Sequence, residues 1–127
     1  MSKLQILYAD DEPDIREVAT LSLQIDPEIE VRAVESGAAA LSLLDAGEFE
    51  PDLILLDVMM PDLDGPGVLQ RLRTRPGFGA TPVVFITARA QVSDRERLMA
   101  LGAAGVITKP FDPLSLAAKL RGIVAGA

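Results

Sequence analysis

A chain of 127 residues, 49% apolar and 24% charged, has the length and balance of an ordinary globule that buries a core without staples. It holds no cysteine and no histidine, which removes disulfides, thiolate chemistry, Ser-His-Asp catalysis, histidine-ligated zinc and any role as a phosphohistidine donor. A net charge of −7 opposes non-specific binding to nucleic acid or to an anionic membrane.

Leu4 to Ala9 reads as a first strand, stopped by Asp10, Asp11 and Glu12. Pro13 suits the first turn of a helix, where its missing N–H costs nothing. Apolar spacing through Ile15, Val18, Ala19, Ser22 and Ile25 predicts that helix, and Pro27 ends it. Ile29 to Val34 alternates, which predicts a strand with one wetter face at a sheet edge. Ser36 can N-cap a second helix that buries Ala40, Leu41 and Leu44 and stops at Gly47. Leu53 to Leu56 is an unbroken apolar run closed by Asp57, too short for a helix, and predicts a strand buried on both faces. Pro61, Asp64-Gly65 and Pro66 punctuate the loop that follows.

A third helix is predicted from about Pro66 to Arg73, with Val68, Leu69 and Leu72 inward. Pro82 to Thr87 is a second doubly buried strand. A fourth helix spans Val92 to Leu101, with Ser93 and Glu96 in capping-box spacing and Gly102 as its stop. Gly105 to Thr108 is a fifth strand, closed by Lys109-Pro110. Asp112 and Pro113 suit the N-cap and first turn of a last helix whose inward residues are Leu116, Ala117, Leu120 and Val124.

Strand and helix thus alternate along residues 1–127, read as one domain without linker or repeat. The expected fold is α/β: a flavodoxin-like, doubly wound parallel sheet of order 2-1-3-4-5. No run approaches the roughly eighteen apolar residues of a membrane span, and no apolar core of a signal peptide follows the start, so the cytosol is the expected compartment.

In such a sheet all carboxyl ends share one rim. That rim collects Asp10, Asp11 and Glu12 after the first strand, Asp57 after the third, Thr87 after the fourth and Lys109 after the fifth. Two carboxylates about 4 Å apart repel by about 4 kcal/mol at an effective dielectric near 20. Lys109 offsets one of them. The remainder calls for a hard divalent cation, magnesium or calcium rather than zinc. Magnesium in particular keeps waters and shares its sphere with phosphate oxygens. Asp57 is then the candidate nucleophile, since carboxylates form aspartyl phosphates. Asp10 and Asp11 would hold the metal, Thr87 would hydrogen-bond a phosphoryl oxygen, and Lys109 would neutralise another. Glu12 is assigned only to the first turn of the helix, favoured by its dipole.

These residues carry a family resemblance over essentially the whole chain. Asp10-Asp11-Glu12-Pro13, the segment from Leu55 through Asp57 to Pro61 and Asp64-Gly65, Thr87-Ala88 and Lys109-Pro110-Phe111 together resemble the signatures of receiver domains of two-component response regulators, in particular the stand-alone, CheY-like form. The resemblance implies magnesium-dependent phosphoryl transfer to Asp57 from a phosphohistidine on a sensor histidine kinase or histidine phosphotransfer domain. It implies a regulatory phosphoacceptor rather than an enzyme with its own substrate, with no direct contact to nucleic acid or membrane. It also implies a third protein ligand for magnesium in the Met59 backbone carbonyl, a cis Lys109–Pro110 bond, and an inward pull of Thr87 toward the phosphoryl group. The first helix would dock the kinase. The fourth helix, fifth strand and fifth helix would form the output face.

Two departures from the pattern involve three positions. Val106 stands where the family often has an aromatic, so output would rest on helix and loop shifts rather than on a swinging ring. Met59 and Arg89 flank the expected phosphoryl position and are bulky enough to shield it from water. A haloacid-dehalogenase-type phosphatase also uses a strand-end aspartate with magnesium, but Met59 replaces the acid it needs. The GxxxxGK[ST] loop of nucleotide-binding domains is missing, and Gln70 breaks the glycine pattern begun at Gly65. A scaffold that has lost phosphorylation is the remaining alternative, and the full set of acids, Thr87 and Lys109 argues against it.

Overall fold

The computed structural model describes residues 3–89 and 91–126. Five strands, β1 (Leu4–Ala9), β2 (Ile29–Val34), β3 (Leu53–Asp57), β4 (Val83–Thr87) and β5 (Gly105–Thr108), alternate with five helices. The helices are α1 (Pro13–Gln24), α2 (Gly37–Asp45), α3 (Gly65–Arg73), α4 (Val92–Ala100) and α5 (Leu116–Gly126). All strand pairs are parallel and the order is β2-β1-β3-β4-β5, as the run lengths predict. The flavodoxin-like α/β architecture follows directly from that order.

Two apolar layers sandwich the sheet, and strand alternation sorts residues between them. Leu7, Ile54, Leu56, Val83 and Phe85 pack with Ala40, Leu41 and Leu44 of α2, with Val68, Leu69 and Leu72 of α3, and with Leu98 of α4. Ile6, Tyr8, Leu53, Leu55, Val84, Ile86 and Ile107 pack with Ala19 and Leu23 of α1 and with Leu116 and Leu120 of α5. β3 and β4 are buried along their whole length, whereas β2 has exposed positions, which fits their central and edge places.

Caps and stops are mostly as read. The Ser36 hydroxyl accepts from the Ala39 amide at 3.0 Å, and Asp64 accepts from the Gly67 amide at 2.8 Å. Gly47 and Gly102 leave their helices at φ of 73° and 106°, where a side chain would be strained.

Three details differ from expectation. The buried stripe of α1 is Ala19, Ser22 and Leu23, while Val18 and Ile25 face outward, so the stripe is rotated from the predicted one. Ser93 does not cap α4; Gln91 occupies the N-cap and makes no side-chain cap, leaving Ser93 inside the first turn. Asp112 opens a turn, accepting from the Leu114 amide at 3.0 Å, and α5 begins only at Leu116. Among the described residues, no helix is long and apolar enough to cross a membrane.

Candidate functional site

The site is built by strand parity. Tyr8, Leu55 and Ile107 all belong to the layer facing α1 and α5. Two residues further along the sequence stand Asp10, Asp57 and Lys109. Extended chain returns a side chain to the same face every second residue, so these three groups emerge from one side of the sheet at one rim. They meet there. Lys109 Nζ lies 3.1 Å from Asp10 Oδ2 and 3.5 Å from Asp57 Oδ2. Carboxylate oxygens of Asp10, Asp11 and Asp57 all lie within 4.8 Å of one another. The Lys109–Pro110 bond is cis, as the resemblance implies.

The loop after β3 is pinned against this site. Asp57 Oδ1 accepts from the Met59 amide at 3.4 Å, and the Val58 carbonyl accepts from the Gly65 amide at 3.1 Å. A Cβ on Gly65 would stand 2.6 Å from the backbone oxygen of Asp57, so only glycine lets α3 start so close to that residue. Asp62 turns the loop with φ of 69°, a region aspartate tolerates better than most residues.

Thr87 sits at the neighbouring strand end. In the β3–β4 register Asp57 pairs with Ile86, one residue earlier. Its side chain is buried and its hydroxyl accepts from the Arg89 amide at 3.0 Å. The parity of β4 places Thr87 with Phe85, in the layer facing α2, α3 and α4, rather than with the acids. Met59 is 67% exposed at the mouth, and Arg89 is exposed as well. Val106 is buried against the α4 side of the core, and its carbonyl accepts from Arg95 at 3.3 Å.

Three contributors escape the sequence reading. The carboxylate of Glu12, assigned only to the helix dipole, instead lies 3.3 Å from Lys109 Nζ; the residue is the N-cap of α1 but makes no side-chain cap. Arg16 donates to the backbone carbonyl of Asp10 at 2.8 Å. Tyr8 donates its hydroxyl to Asp10 Oδ2 at 2.7 Å from beneath the site. Spacing offers a signal for the last: Tyr8 and Asp10 are two apart on one strand and so share a face.

The balance of charge is unfavourable. Among the described residues Lys109 is the one cation paired with the carboxylates of Asp10, Glu12 and Asp57, with Asp11 alongside, while Arg16 reaches only the Asp10 backbone carbonyl. Burial, followed by the nearby Asp10 carboxylate, pushes the Asp57 pKa up from 3.8 to about 7, against the opposing pull of Lys109 and the Met59 amide. Lys109 is held above its ordinary value: burial lowers it, but the carboxylates of Asp10, Asp57 and Glu12 outweigh that. Asp11 Oδ1 and Asp57 Oδ2 are buried without a hydrogen-bond partner among the described residues. Two orphaned carboxylate oxygens in an acid trio, with neither thiol nor imidazole nearby, are a donor set for a hard divalent cation.

Comparison with known proteins agrees with this geometry. The model of the response regulator receiver domain matches residues 6–121. A probable transcriptional regulator, ycf27 of Porphyridium aerugineum, is 40% identical over 124 residues, covering 98% of this chain and 49% of that protein. The chain spans about half the length of the curated relatives it matches. The chemotaxis response regulator CheY4 of Vibrio cholerae superposes with a TM-score of 0.85 at 29% identity, covering 96% of this chain and 99% of that one. The BeF3-activated DrrB receiver domain gives 0.80 at 26% identity, covering 97% and 98%. With the acids gathered where the order of the parallel strands reverses between β1 and β3, and with a family match running from β1 into α5, the chain belongs to the response regulator receiver domains, phosphoacceptor modules of two-component signalling.

Proposed function

We propose that Asp57 accepts a phosphoryl group from the phosphohistidine of a sensor histidine kinase or histidine phosphotransfer domain, and that residues 1–127 work as one cytosolic receiver. The observation that carries this reading is the pairing of a buried Asp57 oxygen that lacks a hydrogen-bond partner with the Lys109 ammonium 3.5 Å away. A structural aspartate would have its lone pairs filled; this one keeps an oxygen free beside a cation that can receive a second anion. Asp11 and Asp57 would bind magnesium through their orphaned oxygens, Asp10 would support it, and the Met59 carbonyl would complete the protein ligands. Magnesium, when bound, supplies positive charge that lets a phosphoryl anion approach three carboxylates.

The rest is done by the chain. An Asp57 oxygen forms the new P–O bond, the P–N bond to the donor imidazole breaks, and its electron pair returns to the ring nitrogen. Lys109 pairs with a phosphoryl oxygen as Asp57 spends its charge on the new bond. The Thr87 hydroxyl, now engaged with the Arg89 amide, would turn to another phosphoryl oxygen and draw the β4–α4 loop inward. Met59 and Arg89 would screen the acyl phosphate from water. BeF3 activation of the related DrrB receiver supports a site of this kind.

Helix α1 starts beside the acids and exposes Val18, Leu21 and Ile25 along one stripe, a surface suited to a kinase helix. A groove of ≈ 790 Å³ lined by Arg95, Met99, Val106, Phe111, Lys119 and Ile123 lies on the α4-β5-α5 face, where an effector would read the state.

The test is incubation with acetyl phosphate and magnesium, followed by intact mass. A gain of one phosphoryl group is expected, absent when EDTA is present during the incubation and absent in Asp57→Asn. A label that survives Asp57→Asn, or no label in the parent protein, rejects the proposal.

A further inference from the structure

Tyr8 is the one tyrosine of the chain, which has no tryptophan. Its ring is fully buried in the layer facing α1 and α5, directly beneath the acid site, and the phosphoryl chemistry above does not use it. Among the described residues its hydroxyl has one hydrogen-bond partner, Asp10 Oδ2 at 2.7 Å, and Asp10 is itself fully buried.

Asp10 is held from every side. Oδ1 accepts from the Glu12 amide at 3.0 Å, Oδ2 accepts from Tyr8 and faces Lys109 at 3.1 Å, and the backbone carbonyl accepts from Arg16 at 2.8 Å. Asp11 and Asp57 each keep an oxygen without a hydrogen-bond partner. The trio therefore divides into one carboxylate fastened by the protein and two with oxygens to spare. Lys109 is shared among Asp10, Glu12 and Asp57, so it cannot by itself dictate the tilt of Asp10. The tyrosine can, because its ring is packed on all sides and its hydroxyl reaches a single oxygen.

We infer that Tyr8 is a positioning residue for the metal site: its hydroxyl sets the orientation of the Asp10 carboxylate that the acid trio needs to take up a divalent cation. The inference rests on the magnesium reading above and adds a residue to it. Groups that hydrogen-bond to a metal-site carboxylate from outside commonly matter tenfold or more to affinity.

Tyr8→Phe removes only the hydroxyl. Isothermal titration of metal-free protein with Mg2+ is expected to give a Kd about tenfold weaker in Tyr8→Phe than in the parent chain, with the far-ultraviolet spectrum unchanged. Equal affinities within twofold overturn the inference while leaving the metal reading intact. Absence of binding in the parent chain overturns both. A second measurement needs no variant. With a single tyrosine and no tryptophan, the tyrosine band of the near-ultraviolet difference spectrum, beyond the absorption of the four phenylalanines, reports the surroundings of Tyr8, and it should shift saturably with Mg2+ at the calorimetric Kd. A flat spectrum while calorimetry registers binding also overturns the inference, even should Tyr8→Phe fail to fold.

Discussion

The two rims of the sheet treat charge in opposite ways. At the amino rim, ions are paired one to one at partly exposed positions: Arg121 with Asp26, and Arg75 with Asp45 at 2.9 Å. The carboxyl rim gathers carboxylates in excess of its single ammonium, and two of their oxygens are buried without partners. Ions that serve only the fold need nothing more than a neighbour. A surplus of buried charge is retained where a further charged species is due to arrive.

The contrast can be broken most forcefully at Lys109. Lys109→Met leaves Asp10 and Asp57 buried without their cation, and metal-free stability in chemical denaturation should fall by about 3–5 kcal/mol, with part of it restored by magnesium. Gly65→Ala comes next: a methyl group 2.6 Å from the Asp57 carbonyl oxygen must displace either α3 or β3. A loss of about 1–3 kcal/mol is expected, together with slower phosphoryl uptake from acetyl phosphate.

Acid titration sharpens the contrast further, because the two rims should respond with opposite sign. Asp57 is raised on folding from 3.8 to about 7. The folded chain therefore holds a proton that the unfolded chain releases, and metal-free stability should decline as pH climbs from about 4 to about 7 and level off above. Saturating magnesium or Asp57→Asn should flatten that limb. Asp26 is lowered on folding, by its hydrogen bonds from Arg121 and from the Glu28 amide. Its contribution is present above the ordinary 3.8 and lost as pH falls through the lowered value. The smallest effect belongs to Arg121→Ala, whose pair with Asp26 is partly exposed: a slight fall in Tm, weakened in high salt, is expected.

How much of this was legible in the chain depended on how many alternatives each segment allowed. Leu53–Leu56 and Val83–Ile86 are solid apolar runs too short for a helix, and so could only be buried strands; the order of the sheet followed from them. Helix α1 was harder, because Val18, Leu21, Leu23 and Ile25 are apolar on more than one side, and the chain alone does not say which stripe the sheet takes. The outward one is spare apolar surface, not core. In α4, Ser93 and Glu96 matched a cap by spacing, but the helix begins two residues too early for it, with Gln91 at the N-cap.

At the site, Asp10, Asp11, Asp57 and Lys109 could be placed because each lies at or just past the end of a strand. Tyr8 could not, since a tyrosine inside a strand looks like core until its hydroxyl is seen to reach Asp10. Glu12 was hidden for another reason: its contact is with Lys109, far along the chain, and no local pattern encodes that.

The missing Cβ of Gly65 has a wider bearing on how such a molecule could transmit a signal. With α3 seated on the Asp57 backbone and its first amide tied to Val58, that side of the pocket behaves as a fixed jaw. Across from it, α4 starts without a side-chain cap and buries only Leu98. New charge lodged between the two would meet an unyielding wall on one flank and a lightly fastened helix on the other, so recoil has one inexpensive direction, toward the face lined by Arg95 and Met99.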